Sequence, residues 1–465
     1  MLNDKESPFN LVLIDSGLCL PILRFTGHEA LNQPYRFEIE TVTLAPAQMP
    51  AGLLHQAAFL RIDHDHGIHG VLHSISCEHQ GQHRIGYRLV LVPRLRILDQ
   101  RHKRRVFVDM SVTDIVAQLL AEHGLPRAGY RLDVTVGHYP ARPFCIQYDE
   151  SDLALLHRLC EEEGIHYHFE HRPDGHVVVF ADDSLNLPQT STVLPFTVTH
   201  EKTSPAISAL FQRHDAASIA TLPAVRNRGR QSGSGEAANE VVNDWPALAV
   251  APSPQRHAEQ RSRRQLERQR SQYRSVRGRS DCGTLLSGHL LQVTGHPIPA
   301  FNDQWLITEL RHQGQQPSIL DPASTNRRYC NDFTAQPWST DFRPPLIQPR
   351  PSIPGYHLAR VHGNAGDPPT LDEQGQIAVQ LWPEPEMPDD DHTLWLPIAL
   401  TGGEGSLSAD TLPRAGSEVW VSFLDGDPDR PILCLGARHT PPRRESPPGR
   451  DTSLLLDWLL NGAER

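Results

Sequence analysis

Apolar and polar positions alternate with period two along most of the chain, and they shift to a helical period in three places. Within residues 1–100, FNLVLID, LCLPILRFTGHE, YRFEIETVTL, AFLRIDH, HGVLHSISCEH and IGYRLVLVPRL read as short strands, clearest at Tyr35-Phe37-Ile39 and Tyr87-Leu89-Leu91. So many short strands predict closure into a barrel or sandwich. The period changes at Ser111-Val112-Thr113-Asp114, a capping box, after which Val112, Ile115, Val116, Leu119 and Leu120 form one apolar stripe and Gly124 stops the helix. A second helix is predicted from Asp149 or Ser151 through Leu153, Leu156, Leu159 and Cys160 to Gly164. Strands return over 190–335, broken near 227–240 by a Gly/Ser-rich loop and by a third predicted helix over 254–274 that carries Arg261, Arg263, Arg264, Arg268 and Arg270.

The most legible stretch is 412–436, LPRAGSEVWVSFLDGDPDRPILCLG. Val419, Val421 and Phe423 alternate with Trp420, Ser422 and Leu424, and Ile432 to Leu435 follows after a turn of Asp, Gly and Pro. With His357 to His362, Gln376 to Trp382 and Thr393 to Ala399, five short strands predict a small closed barrel of the OB type. The linker FRPPLIQPRPSIPG (342–355) reads as a semi-rigid spacer.

A chain of 465 residues predicts three or four domains. With 40 prolines and 32 glycines, turns and strands are favoured over long helices. No apolar run reaches the roughly 20 residues of a membrane span, and the N-terminus MLNDKESPFNLVLID lacks the pattern of a cleaved signal, so stable membrane anchoring is not expected. The net charge of −11 argues against a chain-wide nucleic-acid role. Seven scattered cysteines, without a CxxC pair, read as buried thiols in a reducing compartment.

Several segments resemble the VgrG family, the spike proteins of bacterial type VI secretion, whose architecture recurs in contractile phage tail hubs. They are DEQGQIAVQLWP, TLWLPIAL, LPRAGSEVWVSF and FLDGDPDRPIL near the C-terminus, SVTDIVAQLLAEHG and FCIQYDESDLALLHRLCEEEGIHYHFEH in the helical region, and a stretch ending in Gly295-His296-Pro297 and a closing strand. The resemblance implies a mainly β (α+β) chain: a first hub β-barrel domain (1–105), a helical insertion with flanking strands (106–189), a second hub barrel (190–341), the linker (342–355), a five-stranded OB-fold domain (356–438), and a Pro-rich spacer with an apolar tail (439–465).

It further implies a homotrimer whose three chains of two barrels give a pseudo-sixfold ring. Such a ring matches a hexameric Hcp-type tube, so tube and baseplate proteins are the expected partners. The hub would sit in the cytoplasm before firing and then be secreted or driven into a target cell. No needle follows Gly436, so direct docking of a PAAR-type tip protein is not expected. The cluster Leu454, Leu455, Leu456, Trp458, Leu459 and Leu460 is instead expected to dock on the trimer, an effector, an adaptor or a separately encoded needle piece, because so short an apolar helix does not stand alone. Truncation of a longer ancestral gene is the rival reading. A phage or phage-like tail hub shares the architecture and stays open as a reading.

Candidate chemistry adds little. Asp63-His64-Asp65-His66, with His69 and His73, and the shared face of His166, His168 and Glu170 place metal-type ligands close together, but without a supporting metal spacing they read as strand residues. There is no GxSxG elbow, P-loop or GxGxxG in strand–helix context, and Asp425, Asp427 and Asp429 read as turn formers. No cofactor, metal or enzymatic activity is expected. Glu161, Glu162 and Glu163 crowd a helix C-terminus, where the dipole disfavours anions; the preferred reading is a solvated acidic end. The arginine helix reads as a solvated or intersubunit face, with OB-type nucleic-acid binding as the rival.

Overall fold

The computed structural model describes residues 9–44, 52–63, 66–79, 84–197, 205–214, 255–317, 328–383, 393–399 and 412–434. The predicted loop near 227–240, His64, Asp65 and the apolar residues 454–460 lie outside the described residues. Two compact units emerge. The first runs to Ile353 and takes in Asp425–Arg430, and the second holds the remaining described residues from Pro354.

Thirteen strands of the first unit share one sheet. From one edge its order is 207–214, 274–280, 328–337, 304–315, 24–30, 33–44, 84–92, 67–79, 57–61, 10–13 and 19–21, with 290–294 and 191–195 branching from 304–315. The two predicted hub domains therefore meet edge to edge, where Arg24–Ala30 pairs antiparallel with Gln304–Gln315 from Gln315↔Arg24 to Glu309↔Ala30.

A glycine faces a phenylalanine in register at Gly27↔Phe37, at Gly314↔Phe25 on the shared seam, and at Gly278↔Phe333 in the second domain. Each ring lies where a Cβ on the glycine would be. Both halves thus fill a sheet position with an aromatic side chain from the neighbouring strand.

The helical insertion packs onto the first domain. Helices α1 (Val112–Glu122) and α2 (Asp152–Glu163) accompany the strand pair 102–110/142–151 and the three-stranded sheet 166–172, 175–181 and 130–133. The capping box at Ser111 is present: its Oγ accepts from the Asp114 N–H at 3.2 Å, while its own N–H donates to the Asp114 carboxylate at 3.3 Å. Phe9, Phe37, Leu91, Ile115, Leu119, Leu156, Tyr167 and Phe180 belong to one apolar core, so barrel and insertion exclude water together. A separate core around Trp305, Ile307, Leu291 and Phe333 serves the second domain.

The second unit bears out the period-two reading: Val419, Val421 and Phe423 are buried, while Glu418 and Trp420 are exposed. Its strands run 393–396, 377–381, 356–361, 418–423, 431–434 and 398–399. Residues 393–399, interrupted at Pro397, pair at both ends of this order, which closes a five-stranded barrel.

The third predicted helix is α3 (Gln255–Tyr273). Among the described residues, no helix is long and apolar enough to cross a membrane.

Candidate functional site

A dense polar constellation lies where α3 crosses the end of α2. The buried face of α3 is His257, Gln260, Arg264, Arg268 and Ser271, a helical stripe made entirely of polar residues. It meets the three glutamates of α2, and the solvated acidic end expected there is not what forms. Glu161 and Glu163 are buried, and only 8% of the Glu162 side chain is exposed.

Each carboxylate is matched. Glu163 takes Arg142 at 2.6 Å and His257 at 2.8 Å; Glu162 takes Arg350 at 3.2 Å and Arg142 at 3.4 Å; Glu161 accepts the Ile347 and Gln348 backbone N–H groups at 2.7 and 2.8 Å. Burial pushes the Glu163 carboxyl upward, but the His257 bond and the Arg142 charge outweigh it and hold it at about 2.

The helix carbonyls are matched as well. Arg264 donates to Glu163 O, and Arg268 donates to Glu161 O at 2.6 Å and to Pro344 O at 2.6 Å. Two guanidinium groups therefore sit at the negative end of the α2 dipole and offset the anions that the dipole disfavours. Gly164 makes this approach possible. Its φ of +70° turns the chain out of the helix, and a Cβ there would stand 2.9 Å from Arg264 Cδ.

The clamp also holds the linker. Arg343 bonds Glu267 at 2.7 Å and Asp182 O at 2.7 Å, and the Phe342 N–H donates to Ser184 Oγ at 3.0 Å. Asp182 in turn accepts the N–H groups of Thr135, Val136 and Gly137 at 3.2, 3.3 and 2.5 Å and the Tyr139 hydroxyl at 3.0 Å. The reading of the arginine helix as a solvated or intersubunit face thus needs correction: Arg264 and Arg268 are 2% and 9% exposed and face inward, whereas Arg261, Arg263 and Arg270 are exposed.

The other predicted residues are scattered. Asp63 and His66 lie in the turn between strands 57–61 and 67–79, His69 points into the core and His73 outward. His166 and His168 are 0% and 1% exposed, and Glu170 pairs with Arg131 at 2.8 Å. Among the described residues, no three His, Cys, Asp or Glu side chains form a metal-sized group. Asp425, Asp427 and Asp429 build their turn: Asp429 N–H donates to Asp427 at 3.0 Å, and Arg430 bonds Asp425 at 3.0 Å. Of the cysteines, Cys145, Cys160 and Cys282 are buried as expected, while Cys19 and Cys77 are exposed.

A family model described as phage tail baseplate hub (GPD) matches residues 28–318, well over half of the chain. The chain belongs to the phage tail baseplate hub family. That stretch contains α1, α2 and α3 with the clamp contacts between α2 and α3, while Arg24–Gly27 of the edge pairing and the linker residues Arg343–Arg350 lie outside it. The chain is 37% identical to the type VI secretion system spike protein VgrG5 of Pseudomonas aeruginosa, over 93% of this chain and 58% of that protein. It is 36% identical to the VgrG4b spike protein of the same organism, over 99% of this chain and 60% of that protein. The chain thus spans about 60% of the length of these curated relatives.

Among solved structures, the fold matches the E. coli c3393 protein with a TM-score of 0.69 at 24% identity, covering 91% of this chain and 98% of that one. That protein is described as a type VI secretion component with structural similarity to the T4 bacteriophage tail proteins gp27 and gp5. The resemblance seen in the sequence to VgrG spikes and phage hubs is borne out, and so is the mainly β hub architecture.

Proposed function

We propose that the chain is a hub and spike subunit of a type VI secretion system: it trimerises, caps an Hcp-type tube and is driven with that tube into a target cell. The observation that carries this reading is the hub-family match over 28–318, joined to high-coverage similarity to VgrG spike proteins. The continuous sheet supports it physically. Strands 24–30 and 304–315 join the two halves of the unit into one sheet. If each half is one barrel of the hub, each chain would bring a doubled ring segment and three chains would face six tube subunits.

The role is mechanical and asks no bond chemistry of these residues. Baseplate proteins would hold the hub before firing. Leu454, Leu455, Leu456, Trp458, Leu459 and Leu460 would dock an effector or its adaptor. The inward turn of Arg264 and Arg268 removes two cations from any nucleic-acid surface and weighs against that rival.

Co-sedimentation with assembled tube protein tests the reading. The expected result is one trimer per tube end, with a deletion of 439–465 keeping the trimer and losing cargo. Failure to bind tube ends under every assembly condition would overturn it.

A further inference from the structure

Directly after the clamp, the hairpin of strands 166–172 and 175–181 lies against strand 67–79 through a group of three histidine rings. His69 Nδ1 and His176 Nδ1 are 2.9 Å apart, the His69 N–H donates to His171 Nδ1 at 3.3 Å, and the Arg94 N–H donates to His176 Nε2 at 3.2 Å. These contacts fix every tautomer. His176 must accept at Nε2, so its proton is on Nδ1 and is donated to His69. His69 and His171 then accept at Nδ1 and carry their protons on Nε2, which is buried in both and has no hydrogen-bond partner among the described residues.

No ring has a lone pair left for another proton. Protonating any one of them turns an N–H···N bond into two N–H groups pointed at each other.

The surroundings give little relief. Tyr35 packs on His171 and His176 with ring centroids 5.0 and 6.0 Å away and donates its hydroxyl to the His69 carbonyl. Arg94, His289 and His312 oppose added positive charge, and Asp174 is the carboxylate that favours it at His69. Glu29 is already engaged with His312 at 3.3 Å.

We propose that this seam is an acid-sensitive latch, which holds the hairpin on strand 67–79 while the three rings are neutral and releases it when they take up protons. Burial, the largest cause at each ring, agrees with the geometry: it lowers His69 to about 4, His171 to about 3 and His176 to about 2. Native values below an open-state value of about 6.5 mean that the open form binds more protons, so the latch weakens as pH falls from about 6.5 toward 4. At pH 5.5 the opening constant rises about tenfold per ring, and about a thousandfold when all three are released together.

The test is hydrogen exchange of the full chain at pH 7.5 and 5.5, with intrinsic exchange rates corrected for pH. Protection of 67–73 and 166–181 should fall about a hundred- to a thousandfold, while 304–315 changes less than about threefold. Unchanged protection at the seam, or a fall shared equally by all segments, would overturn the latch. His176→Gln keeps a donor and an acceptor without a titrating ring. Provided it folds at pH 7.5, it should reduce the fall by about tenfold, and retention of the full fall would also overturn the proposal. If it does not fold, the two wild-type profiles decide alone.

Discussion

Only Gly164 and Ile165 separate the acidic end of α2 from the histidine strand, yet the two regions bury polar groups in opposite ways. The clamp pairs charge with charge: Glu161, Glu162 and Glu163 meet guanidinium groups, an imidazole and backbone donors, and the helix carbonyls are capped by Arg264 and Arg268. The seam stays neutral, with His69, His171 and His176 bonded to one another and to backbone N–H groups. Between about pH 4.5 and 6.5 the Glu163–Arg142 pair of the clamp keeps its charges, since Glu163 sits at about 2 and guanidinium does not titrate, although burial raises the neighbouring Glu161 carboxyl. Over the same range the proposed latch weakens because its open form takes up protons. Two adjacent contacts of one insertion are thereby given different pH ranges.

Arg264→Met should separate them most strongly. It leaves the α2 terminus and Asp182 without their buried cation, and the expected loss is about 3 to 5 kcal/mol by chemical denaturation. The loss should be the same at pH 7.5 and 5.5; a loss below about 1 kcal/mol would make the clamp incidental.

His157→Phe sharpens the neutral side. His157 lies 2.7 Å from the Tyr167 hydroxyl, and burial lowers it to about 4, so its contribution disappears as pH falls from about 6.5. Between pH 7.5 and 5.5 the variant should lose about 1.4 kcal/mol less than the parent, read from paired denaturation curves.

Ser111→Ala removes the α1 cap, which takes no part in either set of bonds, and should cost about 1 kcal/mol by the same measurement. Smallest of all, Arg261→Ala with Arg263→Ala should shift stability by less than about 0.5 kcal/mol, because both side chains are exposed. Steep, salt-dependent retention on single-stranded DNA that this double variant abolishes would revive the nucleic-acid reading.

Local pattern carried the elements and their ends. Ser111, Gly164 and the alternation at Val419-Val421-Phe423 mark real boundaries and real faces, because caps and strand periods are set by neighbours a few residues away. The clamp and the seam were not legible. Glu163 and Arg264 are about a hundred residues apart, as are His69 and His171, and no local rule says which polar group will sit opposite which.

One signal was present in α3. Positions 257, 260, 264, 268 and 271 keep the spacing of a buried stripe while holding only polar residues. A search for apolar periodicity passes over such a stripe. The same spacing read for charge would have turned Arg264 and Arg268 inward and supplied the missing partners of Glu161 to Glu163.

The native mass of the purified chain at neutral pH tests the hub assignment most directly. Three chains of 52.0 kDa each predict a particle of about 156 kDa that gains mass on tube protein. A particle that stays at 52.0 kDa, with and without tube protein, would contradict it.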